Sequence, residues 1–278
     1  MNLDNPAANG HDLLQDYRAV LRALLDASPV SSVQSAHSIG SGWGTIDRGY
    51  REKIGLTFSV DTDEVLLSSA DRPVSVDYAV VSSAWTVLGR NDLEPLARVN
   101  PRGSSFSVDG FTLSGAFGYR MRVASGDQIA KAVEMLRADP TSRRAVVFIG
   151  EPADLMQESR DFPCAASVQF FVRDSRLRSY VTMRSSSFFG VFPYDLVNFR
   201  YLQQYVAAEL GLPPGVLDFA CGSCHVYDEE VDRIEKFLAG EADFLALPEF
   251  DWATLDTSFS TWMAAAEPSL DIFTGEAR

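Results

Sequence analysis

The stretch SVQFFVRDSRLRSYVTMR, residues 167–184, decides the fold that the sequence predicts. Apolar and β-branched residues fill its two ends, and a polar RDSR segment separates them, which is the pattern of a β-hairpin. A further run of the same kind, RAVVFIG at 144–150, precedes it. Strand pairs that follow one another, with helices around them, favour an α+β fold over a doubly wound one.

Helical and extended patterns flank this region on both sides. We expect a glycine-rich turn at 37–45 and strands at 53–60 and 216–227, with helices at 11–26, 76–89, 194–211 and 228–240. Ser125 and Gln128 form a possible capping box for one more helix, which Asp139 and Pro140 end. The sequence therefore predicts one α+β domain over residues 1–278, a sandwich of a sheet and helices.

The composition excludes several classes of protein. A net charge of −14 argues against a nucleic-acid polymer as partner, because such proteins need a basic surface. No apolar run reaches the roughly 18 residues that span a bilayer, and the first residues lack the features of a secretory signal. These features predict a cytoplasmic protein. A small phosphorylated ligand remains open, since 21 of the 24 basic residues are arginines.

The three cysteines, Cys164, Cys221 and Cys224, do not suggest a disulfide framework. The CGSCH segment at 221–225 matches short haem-attachment and redox motifs, but it lies within a predicted strand. Strand alternation would place Cys221 and His225 on one side and Cys224 on the other. We expect Cys221 and Cys224 to be small core residues. Cys164 differs because it follows Pro163 at the start of a strand. A solitary cysteine is more often a core residue, and a nearby positive charge that stabilises its thiolate would favour the role of a nucleophile instead.

A lone carboxylate, Asp195, lies in the nearly apolar segment that follows Arg184. An isolated buried carboxylate is costly. Asp195 must therefore be solvated, paired, or placed to contact something that comes from outside the chain.

Four segments in this order resemble the thymidylate synthase family and its pyrimidine-hydroxymethylating relatives. They are SRRAVVFIGEPADL, FPCAASVQFFV, RSSSFFGVFPYDL and CHVYDEE, at 142–155, 162–172, 184–196 and 224–230. The resemblance implies a thymidylate synthase-like sandwich that forms a homodimer through its sheet.

The resemblance also implies roles for individual residues. Cys164 would add to carbon 6 of a pyrimidine nucleotide, which makes carbon 5 electron-rich enough to attack a one-carbon donor. Arg184 would hold the phosphate and favour the thiolate of Cys164. The other implied substrate contacts are Ser185 at the phosphate, Arg143 and Arg144 donated by the neighbouring subunit, His225 and Tyr227 at the sugar hydroxyl, and Gln169 and Ser187.

Asp195 falls eleven residues after Arg184, where thymidylate synthases carry an asparagine that pairs with uracil. A carboxyl group suits cytosine, because it can accept from the N4 amino group and share a proton at N3. The same exchange distinguishes deoxycytidylate hydroxymethylases within the family. The resemblance therefore implies a (deoxy)cytidylate 5-hydroxymethylase that uses 5,10-methylene-tetrahydrofolate and no metal, with ribose and deoxyribose both open.

The sequence departs from the family pattern at several positions. Ser82, Phe117, Ala165, Ser187 and Ser38 stand where the family carries a glutamate, a tyrosine, a histidine, an aspartate and an arginine. The folate-stacking tryptophans lack an obvious counterpart, and the chain ends in FTGEAR. Two alternatives therefore stay open: an enzyme with another carbon donor or carbon 5 reaction, and a nucleotide-binding homologue without catalysis.

Overall fold

The computed structural model describes residues 12–30, 49–156 and 161–275, without the side chain of Arg102. The predicted glycine-rich turn at 37–45, and Ser38 within it, lie outside the described residues.

The described residues form one six-stranded sheet and one two-stranded sheet. The large sheet has the order β1-β2-β7-β6-β5-β4, in which only β6 and β7 pair in parallel. Strands β3 and β8 form the small sheet. The strands are β1 (Pro29–Val30), β2 (Tyr50–Val60), β3 (Leu66–Ser68), β4 (Val146–Phe148), β5 (Ala165–Arg173), β6 (Arg176–Ser187), β7 (Pro214–Tyr227) and β8 (Asp243–Leu245).

The hairpin predicted at 167–184 is β5 and β6. Arg173 pairs with Arg176 at its tip, and the two residues between them, Asp174 and Ser175, have φ of 52° and 57°. Positive φ at both central positions matches the right-handed twist of the strands, and Asp tolerates that conformation better than most residues. The turn fixes the register of the strands that carry Cys164 and Arg184.

Eight helices connect the strands within the described residues. They are α1 (Leu13–Leu25), α2 (Val76–Val87), α3 (Glu94–Val99), α4 (Phe117–Arg122), α5 (Gln128–Ala138), α6 (Phe192–Leu210), α7 (Val231–Ala239) and α8 (Leu255–Ala264). Asp12 caps α1, and Gly211 ends α6 with φ of 66°. None of these helices is long and apolar enough to cross a membrane.

Helices cover one face of the large sheet. Along β6, Leu177, Val181 and Met183 are buried, whereas Tyr180 between them is exposed. The long helix α6 packs on the buried face with most of its length inaccessible to solvent. The sandwich of sheet and helices that the sequence predicts is confirmed, and the other face of the sheet is exposed at Tyr180.

The predicted capping box at Ser125 and Gln128 is wrong. Asp127 caps α5 by accepting a hydrogen bond from the backbone N–H of Ala130, because the helix begins later than expected. The Gln128 side chain instead bonds to the backbone of Arg120 and Phe148.

The predicted separation of Cys221 and Cys224 is also wrong. Both side chains are buried and line one small cavity. The alternation of buried residues shifts by one position in β7 between Cys221 and Cys224, and β6 shifts at the same level, after Met183. Gly55 of the adjacent strand β2 has φ of 72° at this level. Such an interruption bends the strands and changes the direction of the side chains that follow it. The prediction assumed an uninterrupted strand, and for that reason it placed the two cysteines on opposite faces.

Candidate active site

Four chain segments meet at one end of the large sheet. The backbone N–H of Arg184, near the end of β6, donates to the carbonyl of Cys164, which precedes β5. The parallel register of β6 and β7 places Ser187 beside His225. Helix α6 begins five residues after β6 ends, so Asp195 lies in its first turn.

The guanidinium group of Arg184 lies against the thiol of Cys164, with 3.8 Å between Nη2 and Sγ. Three of its N–H groups donate to the carbonyls of Phe162 and Pro163 and to the hydroxyl of Ser185, at 2.9–3.0 Å. The guanidinium also stacks over the ring of Phe162. Arginine carries five N–H donors, so donors remain for an anion after these bonds are made.

Several opposing effects set the pKa of Cys164. Burial raises the pKa of the thiol, and the nearby Arg184 cation lowers it; Asp195 and Asp161 raise it further, while a hydrogen bond with Ser185 lowers it. The net pKa is above the ordinary value.

Asp195 is buried, with 7% of its surface exposed. No donor among the described residues forms a hydrogen bond with its carboxyl oxygens. Burial alone raises the pKa of Asp195 from 3.8 to about 7. The carboxyl lies close enough to act on the pKa values of Cys164, Cys221 and Tyr78. It is a buried group that can gain or lose a proton near neutral pH.

The pKa of Asp195 predicts a pH dependence of stability. Because the folded-state pKa of about 7 is above the ordinary 3.8, the folded chain binds the proton more tightly, and stability falls as pH rises through this window. The D195N variant lacks this contribution. We therefore expect D195N to become more stable relative to the wild type as the pH rises from 4 to 8. The difference between their free energies of unfolding should grow by up to about 4 kcal/mol. Urea unfolding at both pH values measures it, and a constant difference would contradict the burial argument.

His225 and Tyr227, predicted at the sugar, lie at the end of β7. Their rings contact one another with centroids 5.1 Å apart, and His225 also contacts Tyr50 at 6.0 Å. Both are half-buried. The structure thus brings His225, Tyr227 and Ser187 to the same end of the sheet as Arg184.

Arg143 and Arg144 lie elsewhere. Both are exposed and form no ion pair with a described residue. The adjacent Ala145 accepts the backbone N–H of Phe170, in the second half of β5. At about 3.3 Å per residue, this places them roughly 20 Å from Cys164. Gln169 lies in the same region, where its side chain donates to the carbonyl of Arg143. The structure does not bring these three residues to Cys164 of their own chain.

Comparisons with known proteins identify the family of this chain. A family profile described as thymidylate synthase matches residues 71–265. The chain belongs to the thymidylate synthase family.

Two curated relatives show the range of proteins to which this chain is similar. A deoxyuridylate hydroxymethyltransferase of Pseudomonas phage M6 is 33% identical over 189 residues, which cover 66% of this chain and 53% of the phage protein. A thymidylate synthase of Francisella tularensis subsp. holarctica is 27% identical over 217 residues, which cover 72% of this chain and 78% of that protein. The match spans about half the length of the phage protein.

A solved structure supports the fold independently. Thermostable thymidylate synthase A from Bacillus subtilis superposes with a TM-score of 0.67 at 22% identity, covering 86% of this chain and 87% of that one. At this identity the likeness shows the fold alone. The thymidylate synthase-like α+β sandwich predicted from the sequence is confirmed.

Ser82, where the thymidylate synthase family carries a glutamate, belongs to a small polar cluster. The hydroxyl groups of Ser82 and Ser83 in α2 lie 3.1 and 2.8 Å from Oδ1 of Asn198 in α6. Asn198 is one helical turn after Asp195. The cluster is neutral, so it can orient a water molecule or amide but cannot replace a carboxylate as a proton acceptor.

Two further departures, Phe117 and Ala165, are packing residues. Phe117 stacks on Phe199 with ring centroids 5.7 Å apart, and Ala165 is fully buried. Neither position can donate or accept a proton.

Gly222 allows β6 and β7 to approach closely beside Arg184. A Cβ atom at this position would lie 2.7 Å from the carbonyl oxygen of Arg184, a distance that real Cβ atoms do not adopt. We predict that Gly222→Ala displaces Arg184 and weakens nucleotide binding by about tenfold, since about 1.4 kcal/mol of lost contact suffices. Isothermal titration with pyrimidine nucleotides measures it.

The matched control for this prediction is Gly103→Ala, because no atom lies within 4 Å of the added Cβ. Equal binding by Gly222→Ala and the wild type would show that the close approach of the strands does not position Arg184.

The described residues do not form a folate pocket of the usual thymidylate synthase type. Trp85 is buried and donates its indole N–H to the carbonyl of Asp92. Near the C-terminus, Phe273 is buried against Phe250 and Trp262 instead of facing the site. We therefore derive no step through folate. The described residues also contain no group of three or more His, Cys, Asp or Glu that could hold a metal ion.

The sequence patterns missed Asp161 and Asn198. Asp161 follows a segment without a motif and resembles an ordinary loop acid. Asn198 is placed in the site by the packing of α2 against α6, which no local pattern shows.

Proposed function

We propose that this protein transfers a one-carbon unit to carbon 5 of a pyrimidine nucleotide, and that its substrate is a (deoxy)cytidylate that it hydroxymethylates. Arg184 and Ser185 bind the phosphate, and Cys164 adds to carbon 6. The electron pair of the C5–C6 double bond then makes carbon 5 nucleophilic, so that it can bond to the donor carbon.

The observation that carries this proposal is the buried carboxyl of Asp195 beside Cys164, which accepts no hydrogen bond from any described residue. A buried polar group without a partner costs about 1–3 kcal/mol, so a site that retains one gains when a ligand supplies the partner. A nucleotide-binding homologue without catalytic activity needs neither this carboxyl nor a cysteine held against an arginine.

Cytosine matches Asp195 better than uracil does. A protonated carboxyl donates to cytosine N3 and accepts from the N4 amino group, so each polar group is satisfied. The shared proton can move fully to N3, which withdraws electrons from carbon 6 and favours attack by Cys164. Uracil can accept the carboxyl proton at O4 only as a hydrogen bond, because O4 is a far weaker base than N3 of cytosine.

Deoxyuridylate hydroxymethylation is the second candidate. The name of the phage relative favours it. A protonated Asp195 also matches uracil, since it accepts from N3–H and donates to O4. The two candidates differ in pH dependence: once Asp195 is ionised, it repels O4 of uracil, whereas N3-protonated cytosine can form an ion pair with it.

We further propose that the active protein is a homodimer in which Arg143 and Arg144 reach the phosphate of the partner subunit. The exposure of Tyr180 on the sheet face opposite the helices supports this arrangement. So does the exposure of two unpaired arginines roughly 20 Å from their own Cys164, because a symmetric interface would carry them to the other site.

Tritium release from carbon 5 tests the proposed function. Labelled CMP, dCMP, UMP and dUMP are incubated with the protein, with and without methylene-tetrahydrofolate, and the products are identified by mass spectrometry. We expect donor-dependent release from one cytidylate, preferred over the uridylates by at least about 100-fold, the effect of roughly 3 kcal/mol of mismatched polar contacts. Preferred release from dUMP would support the second candidate. Binding without release from any nucleotide would contradict transfer chemistry.

A further inference from the structure

Three charged groups among the described residues act on the thiol of Cys164: Arg184, Asp195 and Asp161. An arginine does not release its proton at neutral pH. Asp195 is engaged by the pyrimidine edge under the proposed function. Asp161 is the remaining group beside the nucleophile that can take up a proton.

The position of Asp161 is fixed by close contacts. Its Oδ2 accepts a hydrogen bond from the backbone N–H of Gly115, at 2.6 Å. A Cβ atom at position 115 would lie 2.4 Å from the carbonyl oxygen of Asp161 and 2.7 Å from its Oδ1, so only glycine permits this approach. The next residue, Phe162, is held by Arg184. The carboxylate is therefore anchored on the same short segment as Cys164.

The surroundings of Asp161 suit proton uptake. Burial raises the pKa of Asp161 above its ordinary value, while the bond from Gly115 and the charge of Arg120 partly oppose the rise. Arg120 forms a bidentate pair with Asp154 at 2.7 Å, so much of its charge is already compensated. Asp161 is half-buried, so it keeps some exposure to solvent.

We propose that Asp161 accepts the proton that leaves carbon 5 of the pyrimidine adduct. This rests on the proposed function, in which Cys164 is bonded to carbon 6 and carbon 5 carries its new carbon substituent. The C5–H bond breaks, and the proton bonds to a carboxylate oxygen of Asp161. The electron pair of that bond forms a double bond between carbons 4 and 5, while the π electrons that joined carbon 4 to its ring nitrogen or exocyclic atom move onto that atom. The ring is then poised to expel a leaving group or the thiolate. Asp161 supplies the proton acceptor that Ser82, Phe117 and Ala165 cannot.

The test compares Asp161→Asn with the wild type. Asparagine keeps an oxygen for the Gly115 N–H but cannot take up a proton. Three quantities are measured: tritium release from carbon 5, the dissociation constant of the nucleotide, and the rate of alkylation of Cys164 by iodoacetamide between pH 6 and pH 10, followed on its peptide. Asp174→Asn, in the turn at the far end of β5, is the matched control.

We expect Asp161→Asn to lower the rate of tritium release by about 10²–10⁴-fold, the usual contribution of acid–base catalysis. Nucleotide binding should change less than twofold. Loss of the Asp161 charge should lower the pKa of Cys164, so the midpoint of its alkylation should move to lower pH. The thiol would then be more reactive while turnover is lost. A damaged fold would not produce this combination. Asp174→Asn should match the wild type in all three.

Tritium release by Asp161→Asn within threefold of the wild type would overturn the role of Asp161 while leaving the proposed function intact. An unchanged alkylation midpoint would overturn the electrostatic coupling on which it rests. If the wild type releases tritium from no pyrimidine nucleotide, the proposed function fails and the role of Asp161 fails with it.

Discussion

Replacing Cys164 by serine will lower tritium release from carbon 5 by about 10⁴-fold or more, because a serine hydroxyl is a far weaker nucleophile than a thiolate. The substitution changes one atom at a half-buried position, so the fold and the phosphate contacts of Arg184 should persist. Nucleotide binding should therefore stay within a few-fold of the wild type. Single-turnover tritium release and isothermal titration separate the two effects.

The control for this prediction is Cys224→Ala. Cys224 is buried in the apolar cavity behind the site and makes no contact with Arg184 in the described structure. We expect its turnover to remain within a few-fold of the wild type. Tritium release by Cys164→Ser at the wild-type rate would show that no covalent adduct forms through this residue.

Replacing Asp195 by asparagine will shift the preference from cytosine to uracil. The amide accepts from N3–H of uracil and donates to O4, whereas its donor and acceptor cannot share a proton with N3 of cytosine. We expect the ratio of kcat/KM for cytidylate to that for uridylate to fall by at least about 100-fold. The variant should also lose the dependence of kcat/KM on pH near 7, because Asp195 is the buried carboxyl that titrates there.

Asp77→Asn is the matched control for this change. Asp77 is also an acid in the first turn of a helix, but it is exposed. It should leave the base preference unchanged. Unchanged selectivity in Asp195→Asn would contradict the pairing argument and would leave the base to be chosen by other contacts.

The sequence predicted the fold well where local signals and chain order agree. The hairpin of β5 and β6 has two apolar runs and a turn that tolerates positive φ, so its register follows from the residues themselves. The faces of Cys221 and Cys224 could not be predicted in this way. They depend on an interruption shared by adjacent strands, and such an interruption belongs to the sheet, not to one strand.

The site was predictable to a similar extent. Cys164, Arg184 and Asp195 were identified from motif order, and the structure brings all three together. Asp161 was not identified, because its significance comes from burial and from the contact with Gly115, 46 residues earlier in the chain. Gln169 is only five residues from Cys164 in the sequence, yet the pairing of β4 with β5 places its side chain beside Arg143.

The most direct test of the central claim is the intact mass of the protein after incubation with 5-fluorocytidylate or 5-fluorouridylate and methylene-tetrahydrofolate. Fluorine at carbon 5 cannot depart as a cation in the way a proton does, so an adduct that reaches this step accumulates. Our account predicts a covalent adduct on the peptide that contains Cys164, formed faster with 5-fluorocytidylate and absent in Cys164→Ser. Bound nucleotide without any adduct, or an adduct on Cys221 or Cys224, would contradict it.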